Sequence, residues 1–249
     1  MIKIENVEVF GWDAAIRGMR NPMNSWDKSD SYWTYIEDAE TLETAKYQFF
    51  AGENDLKLMK SLAQAGDDHG KVTRFLDVYV DITAPLYWWK EFRTYRKGRK
   101  FMDDGDEFTD PDELEFHIET NSCSTMHKIH AKEFTLDDFS YEHLFDGIDR
   151  VEGVDDMEYY ENPTTCLEYT VDVLNHYRKK FIETKDKRYW WQIIQLLPSS
   201  YNQKRTVKLN YQVLKNMYHA RKNHKLDEWR EFCKWCETLP YFSKICIDE

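Results

Sequence analysis

Apolar and polar positions alternate most sharply at 76–82, where Leu76, Val78, Val80 and Ile82 are interleaved with Asp77, Tyr79 and Asp81. Side chains of a strand point to opposite faces in turn, so this stretch predicts a strand with one buried and one polar face. Thr83-Ala84-Pro85 closes it. A proline is tolerated in a first helical turn, where its missing N–H would be unpaired anyway, and the spacing then predicts a helix over 85–96. The opening MIKIENVEVF alternates enough to predict another strand, and residues 20–33, rich in Asn, Asp and Ser, read as a loop. Residues 53–65 place Leu56, Met59, Leu62 and Ala63 on one helical face, with Gly66 positioned to end the helix. Further on, TLDDF (135–139) reads as a helix start capped by Thr135. Leu167, Val171, Leu174, Tyr177 and Phe181 fit a long amphipathic helix. Val207, Tyr211, Leu214 and Met217 mark another, which NHK (223–225) breaks, and Leu226, Trp229, Cys233 and Cys236 mark a last one. Strands mixed with several long helices, without a βαβ rhythm, predict an α+β fold. No repeat or linker divides residues 1–249, so a single domain is expected.

Composition narrows the function. With 41% hydrophobic and 16% aromatic residues the chain is an ordered globular protein. A formal net charge of -12 argues against a general nucleic-acid binder, which needs positive charge for phosphates. No window approaches eighteen apolar residues and the start lacks a long apolar run, so neither a membrane span nor a secretory signal is expected. Five irregularly placed cysteines suit reduced thiols in a cytoplasm. No Walker loop, GxGxxG or GxSxG is present. Cys233 and Cys236 form a CxxC inside an amphipathic helix, where buried structural thiols are expected rather than a redox or zinc pair. His127 and His130 lie at i and i+3 without a third ligand at metal spacing. Residues at about 98–119 are strongly acidic and read as an insertion.

One segment concentrates chemistry. Trp88, Trp89, Phe92 and Tyr95 stand beside Arg93, Arg96, Lys97, Arg99 and Lys100, just after the strand. Separately these are a core stripe and a solvated face. Together they also suit a flat anionic ligand, with rings for stacking and cations for phosphate. The spacing here resembles the flavin-dependent thymidylate synthases (ThyX). Their central block runs from a His, through a strand ending in Ala-Pro, to a helix bearing Arg-His-Arg, then a Ser-x-Arg-Tyr element. His69, Ala84-Pro85 and Thr94-Tyr95-Arg96 fall at the matching places, with Glu91 on the Gln or Glu before the triplet and Ser124 on the Ser. A second block agrees: Leu197-Pro198 leads to NYQVLKNMYHAR, in which Asn210, Leu214, Asn216 and Arg221 match in spacing. The resemblance covers roughly 54–130 and 190–235.

The resemblance implies a ThyX-like α+β domain, a central antiparallel-type sheet packed by long helices, assembled as a homotetramer. It implies FAD reduced by NADPH, methylene-tetrahydrofolate as carbon donor, and methylation of dUMP or a related pyrimidine nucleotide. His69, Thr94, Tyr95, Arg96, Asn210 and Asn216 then stand at flavin positions, and Ser124, Glu91 and Arg221 at nucleotide and catalytic ones. The chain also departs from the pattern. Thr94 and Tyr95 replace Arg and His, Met126 and His127 replace the phosphate-binding Arg and its Tyr, and Ile194 and Gln212 stand at further Arg positions. Two other readings therefore stay open: a catalytically retired ThyX fold serving as a nucleotide- or protein-binding module, and an unrelated helical protein.

Overall fold

The computed structural model describes residues 2–36, 46–66, 68–95, 118–146, 149–150 and 160–247. The chain divides into two compact units, neither continuous in sequence. The first takes Met1–Lys3, Ile82–Phe92 and Asn121–Arg205; the second takes Ile4–Asp81, Arg93–Thr120 and Thr206–Glu249. Strands β1 (Lys3–Phe10), β4 (Asp77–Pro85), β8 (Asn202–Asn210) and β5 (Glu119–Ser122) form a sheet in the order β1-β4-β8-β5. β2 (Tyr32–Ile36) pairs antiparallel with β3 (Lys46–Phe50), and β6 (Asp149–Arg150) with β7 (Tyr160–Glu161).

Strand β4 is as its alternation predicts. Val78, Val80 and Ile82 are buried while Tyr79 is exposed, and Leu76 just before them is also buried. Pro85 is its last residue, not the first of a helix: α3 spans only Leu86–Phe92 and gives way to a 3-10 turn, Arg93–Tyr95. The first N–H groups of α3 find partners outside it, Leu86 donating to the Tyr201 carbonyl at 3.0 Å and Tyr87 to that of Ser199 at 3.0 Å.

The first unit has its core where α4 (Pro163–Thr184) meets α5 (Lys187–Leu196). Leu167, Val171, Leu174 and Ile193 pack with Ile129, Phe134 and Phe139. Asn162 starts α4 by accepting from the N–H groups of Thr164 (3.0 Å) and Thr165 (3.2 Å). The expected helix at 135–139 is a single 3-10 turn, Leu136–Asp138. Thr135 and Asp138 close a capping box there, and Phe139 leaves it in extended conformation to join the core.

In the second unit α1 (Trp12–Arg20), α2 (Glu53–Gln64), α6 (Tyr211–Arg221) and α7 (Asp227–Thr238) supply the buried faces. Trp12 stacks on Phe49 at 4.7 Å and meets Tyr211 edge-on at 6.0 Å. Gly11 opens α1 at φ 100°, and a Cβ there would lie 1.9 Å from the Phe75 carbonyl oxygen, so only glycine fits. Gly66, at φ 96°, follows α2 as its position predicts. The region 20–33 is less loop-like than its composition suggests. Two 3-10 turns, Asn21–Met23 and Trp26–Lys28, precede β2. Arg20 and Asp55, 3% and 0% exposed, form an ion pair of 2.7 Å that ties α1 to α2.

Val207 belongs to β8 rather than to the helix it was spaced with; α6 begins at Tyr211. The inward positions of β8 are Gln203, Arg205, Val207 and Leu209, all buried. Two polar residues among four inward positions hide the strand from a hydrophobic-pattern reading.

Candidate functional site

In the first unit the chain leaves β5 through a tight turn. The Cys123 N–H donates to the Lys204 carbonyl at 2.9 Å. The Ser124 hydroxyl oxygen then accepts from the N–H groups of Met126 (3.2 Å) and His127 (2.8 Å). With two donors on its oxygen, the Ser124 hydroxyl keeps its own proton for an outside acceptor. Ser124, Met126 and His127 are exposed, and Glu91, on α3, is half-buried.

Behind this turn lies a buried polar pair that the sequence reading did not single out. Arg205, 4% exposed, donates from Nε (3.0 Å) and Nη2 (2.8 Å) to Oε1 of Gln203. Its guanidinium carbon lies 4.3 Å from the Trp89 ring centroid. Trp89 Nε1 donates to the Gln203 backbone carbonyl at 2.9 Å, and Gln203 Nε2 donates to the Cys123 carbonyl at 2.6 Å. The signal for these residues is the period of two in NQKRTVKLN, visible once Gln and Arg are allowed at inward positions.

The three rings of α3 correct the expectation of a stacking surface. Trp88, Trp89 and Phe92 are 0%, 1% and 1% exposed and pack on one another at 4.9–5.1 Å. They are core, and Trp89 spends its face on Arg205. Tyr95, just beyond α3, is half-buried, while Lys90, Arg93 and Thr94 are exposed. Arg96 and most of the acidic insertion lie outside the described residues.

The second unit brings Tyr95 and Arg221 together. The Arg221 guanidinium carbon is 5.2 Å from the Tyr95 ring centroid and 5.4 Å from that of Trp229, with the two rings 5.8 Å apart. Two aromatic faces thus hold a cation at the end of α6. Asn210 caps the start of that helix, its Oδ1 accepting from the Val213 N–H at 3.0 Å. Asn216 accepts from Gln212 Nε2 at 3.3 Å, and Gln212 Oε1 lies 2.6 Å from the Thr73 hydroxyl. That hydroxyl is also 2.7 Å from the Gly70 carbonyl. Gln212 is therefore a buried strut between α6 and the 3-10 turn Gly70–Arg74. His69, immediately before that turn, is exposed.

Cys233, Cys236 and Cys246 are buried, and burial pushes the thiol of Cys233 up to about 11, that of Cys246 up to about 12 and that of Cys236 well above its ordinary value. All three are protonated at neutral pH and none is an activated nucleophile. Among the described residues no cluster of three or more His, Cys, Asp or Glu could hold a metal ion, and no helix is long and apolar enough to cross a membrane.

No family model and no curated protein matches the chain. Solved structures do. A Helicobacter pylori ThyX thymidylate synthase crystallised with FAD and dUMP aligns with a TM-score of 0.61 at 14% identity, covering 100% of this chain and 98% of that one. A second structure of flavin-dependent ThyX from the same organism, also complexed with FAD and dUMP, gives 0.59 at 15% identity over 98% and 99%. PolB from Streptomyces cacaoi, a UMP/dUMP methylase bound with 5-Br UMP, gives 0.55 at 12% identity over 98% and 90%. The fold is ThyX-like across the chain, as the two motif blocks led one to expect.

Proposed function

We propose that this ThyX-like fold serves a flavin-dependent methylase acting on dUMP or a closely related uracil nucleotide. The supporting observation is the shared fold over nearly the full length of proteins that bind FAD with dUMP, or that methylate UMP and dUMP. Of the residues at flavin positions, His69 and Thr94 are exposed, and Tyr95 and Asn216 are half-buried. His69, Thr94, Tyr95, Arg96, Asn210 and Asn216 hold the cofactor in this reading. Asn210, 3% exposed, acts in this reading by fixing the start of α6 through its cap. Bound FAD, reduced by NADPH, supplies the hydride that completes a methyl group whose carbon comes from methylene-tetrahydrofolate.

The protein's own part is recognition. Ser124 offers its hydroxyl proton to the nucleotide from an oxygen fixed by two backbone N–H groups. Arg221 offers positive charge between two rings, and Glu91 an acceptor for a nucleotide N–H or O–H. No protein nucleophile is required, in keeping with the protonated buried thiols. We propose a homo-oligomer, by resemblance a tetramer.

One observation favours a second reading, a nucleotide-binding module without turnover. Gln212 stands where the family has an Arg, and it is tied to Thr73 and Asn216 instead. Met126 replaces a phosphate-binding Arg, and Ile194 stands at another substrate Arg. Two lost charged hydrogen bonds at about 1.5–3 kcal/mol each cost roughly 3–6 kcal/mol, or two to four decades of affinity. The visible spectrum of the purified protein, before and after FAD and desalting, separates the two. Retained flavin with dUMP-dependent NADPH oxidation and dTMP or methylated UMP formation is the expected result. A protein that takes up no flavin, yet is thermally stabilised by dUMP, establishes the module instead.

A further inference from the structure

We infer that Gln203 and Arg205, seated on Trp89, are positioning residues that set the place of the Ser124 hydroxyl and hence the affinity for a uracil nucleotide. The inference rests on the nucleotide role proposed above for Ser124. Burying a guanidinium and an amide on a central strand is costly where two apolar residues would pack without desolvation, so the pair calls for a role other than stability. Its geometry supplies one. Arg205 gives two N–H groups to Gln203 Oε1, which fixes which end of the amide is oxygen. The other end, Nε2, then has one direction left, and it donates to the Cys123 carbonyl at 2.6 Å. The backbone of Gln203 is held in turn by Trp89 Nε1, and the guanidinium by the face of the same ring. Both backbone polar groups of Cys123 are therefore tied to β8, the N–H to Lys204 and the carbonyl to Gln203. Ser124 is the next residue, and its oxygen organises the Met126 and His127 amides. Hydrogen bonds on both ends of the Gln203 amide and the ring face under Arg205 hold this buried network in one arrangement, and the arrangement ends at the Ser124 hydroxyl.

The test is Gln203→Glu. A glutamate still accepts both Arg205 bonds, but it has no N–H for the Cys123 carbonyl and sets a carboxylate oxygen against it. The expected result is dUMP binding at least tenfold weaker by calorimetry, with a lowered thermal midpoint and FAD uptake close to that of the unsubstituted protein. Ser124→Ala is measured beside it. Because Gln203 acts through Ser124, the double variant Q203E/S124A is expected to bind dUMP no more weakly than S124A alone. Unchanged dUMP affinity in Q203E overturns the inference, and so does additivity in the double variant. If the unsubstituted protein binds neither dUMP nor UMP, the proposed function fails. The positioning role is then decided by the amide resonances of Met126 and His127, which shift in Q203E if it holds and stay in place if it does not. Should Q203E not fold, the apolar pair Gln203→Met with Arg205→Leu removes the network without leaving an unpaired charge, and the same readings and outcomes apply to it.

Discussion

Replacing Asp55 by alanine should be among the costliest single truncations in the second unit. Asp55 is 0% exposed, and its two oxygens divide the work. Oδ1 accepts from Arg20 Nε at 2.7 Å and lies 2.7 Å from Nη2. Oδ2 accepts from the hydroxyls of Ser29 (2.7 Å) and Ser31 (2.6 Å) and from the N–H groups of Asp30 (3.2 Å) and Ser31 (3.1 Å). Removing one partner of a buried pair leaves the other charge desolvated and costs about 3–5 kcal/mol, a large part of the roughly 5–15 kcal/mol that holds a typical domain. At an m-value of about 2–3 kcal/mol/M the urea midpoint, followed by tryptophan fluorescence, should fall by roughly 1–2 M. The double variant Arg20→Met with Asp55→Leu leaves no orphan charge and should lose less than Asp55→Ala alone. The pH dependence follows from the same contacts. Burial raises the Asp55 carboxyl, but hydrogen bonds from Ser31, Ser29 and Arg20 and the Arg20 charge outweigh it and hold the carboxyl below its ordinary value of 3.8. Its contribution is complete above that value and is lost as pH falls through the lower folded-state value. A midpoint shift under about 0.3 M in Asp55→Ala, or a double variant less stable than the single, refutes this account.

Further outcomes concern the thiols and the cap of α6. Cys123 and Cys166 are exposed and should react with a thiol reagent in the native protein, whereas Cys233, Cys236 and Cys246 should react only after denaturation; five rapidly labelled thiols would contradict the burial. Because the folded-state values of Cys233 (about 11) and Cys246 (about 12) exceed the ordinary 9.0, the unfolded chain ionises first as pH rises. Urea midpoints should therefore decline from about pH 9 upward, and a flat profile from pH 8 to 11 would count against this. Asn210→Ala should destabilise the protein by about 1 kcal/mol through the lost cap, and Asn210→Ser should restore most of that in a thermal melt.

The parts legible in the sequence are those where residue type and environment agree. β4 was plain because its inward positions are all apolar, and α4 because Leu167, Val171 and Leu174 repeat at helical spacing and are all buried. β8 was not, because Gln203 and Arg205 face inward and Val207 happens to stand four residues before Tyr211. α5 went unmarked because Ile193 is its one buried position. The rings of α3 read as a core stripe alone and as a ligand surface beside their cations, because residue type does not say which side of an amphipathic helix is covered; Trp88, Trp89 and Phe92 are interior. The ThyX-like fold was legible through motif order, which survives divergence better than identity does. What motif order could not supply were contacts between distant residues, such as Arg221 lying between Tyr95 and Trp229, or Gln203 reaching back to Cys123.

The division of the chain bears on how this protein can be taken apart. Each unit is assembled from three stretches of sequence, and the boundaries at Asp81–Ile82 and Arg205–Thr206 fall in the middle of β4 and β8 rather than in loops. No single pair of ends excises either unit whole, and a cut at either mid-strand boundary severs a strand from its own continuation. Gene truncation and fragment complementation should therefore yield aggregates rather than half-proteins, and dissection of this chain has to proceed by point substitution.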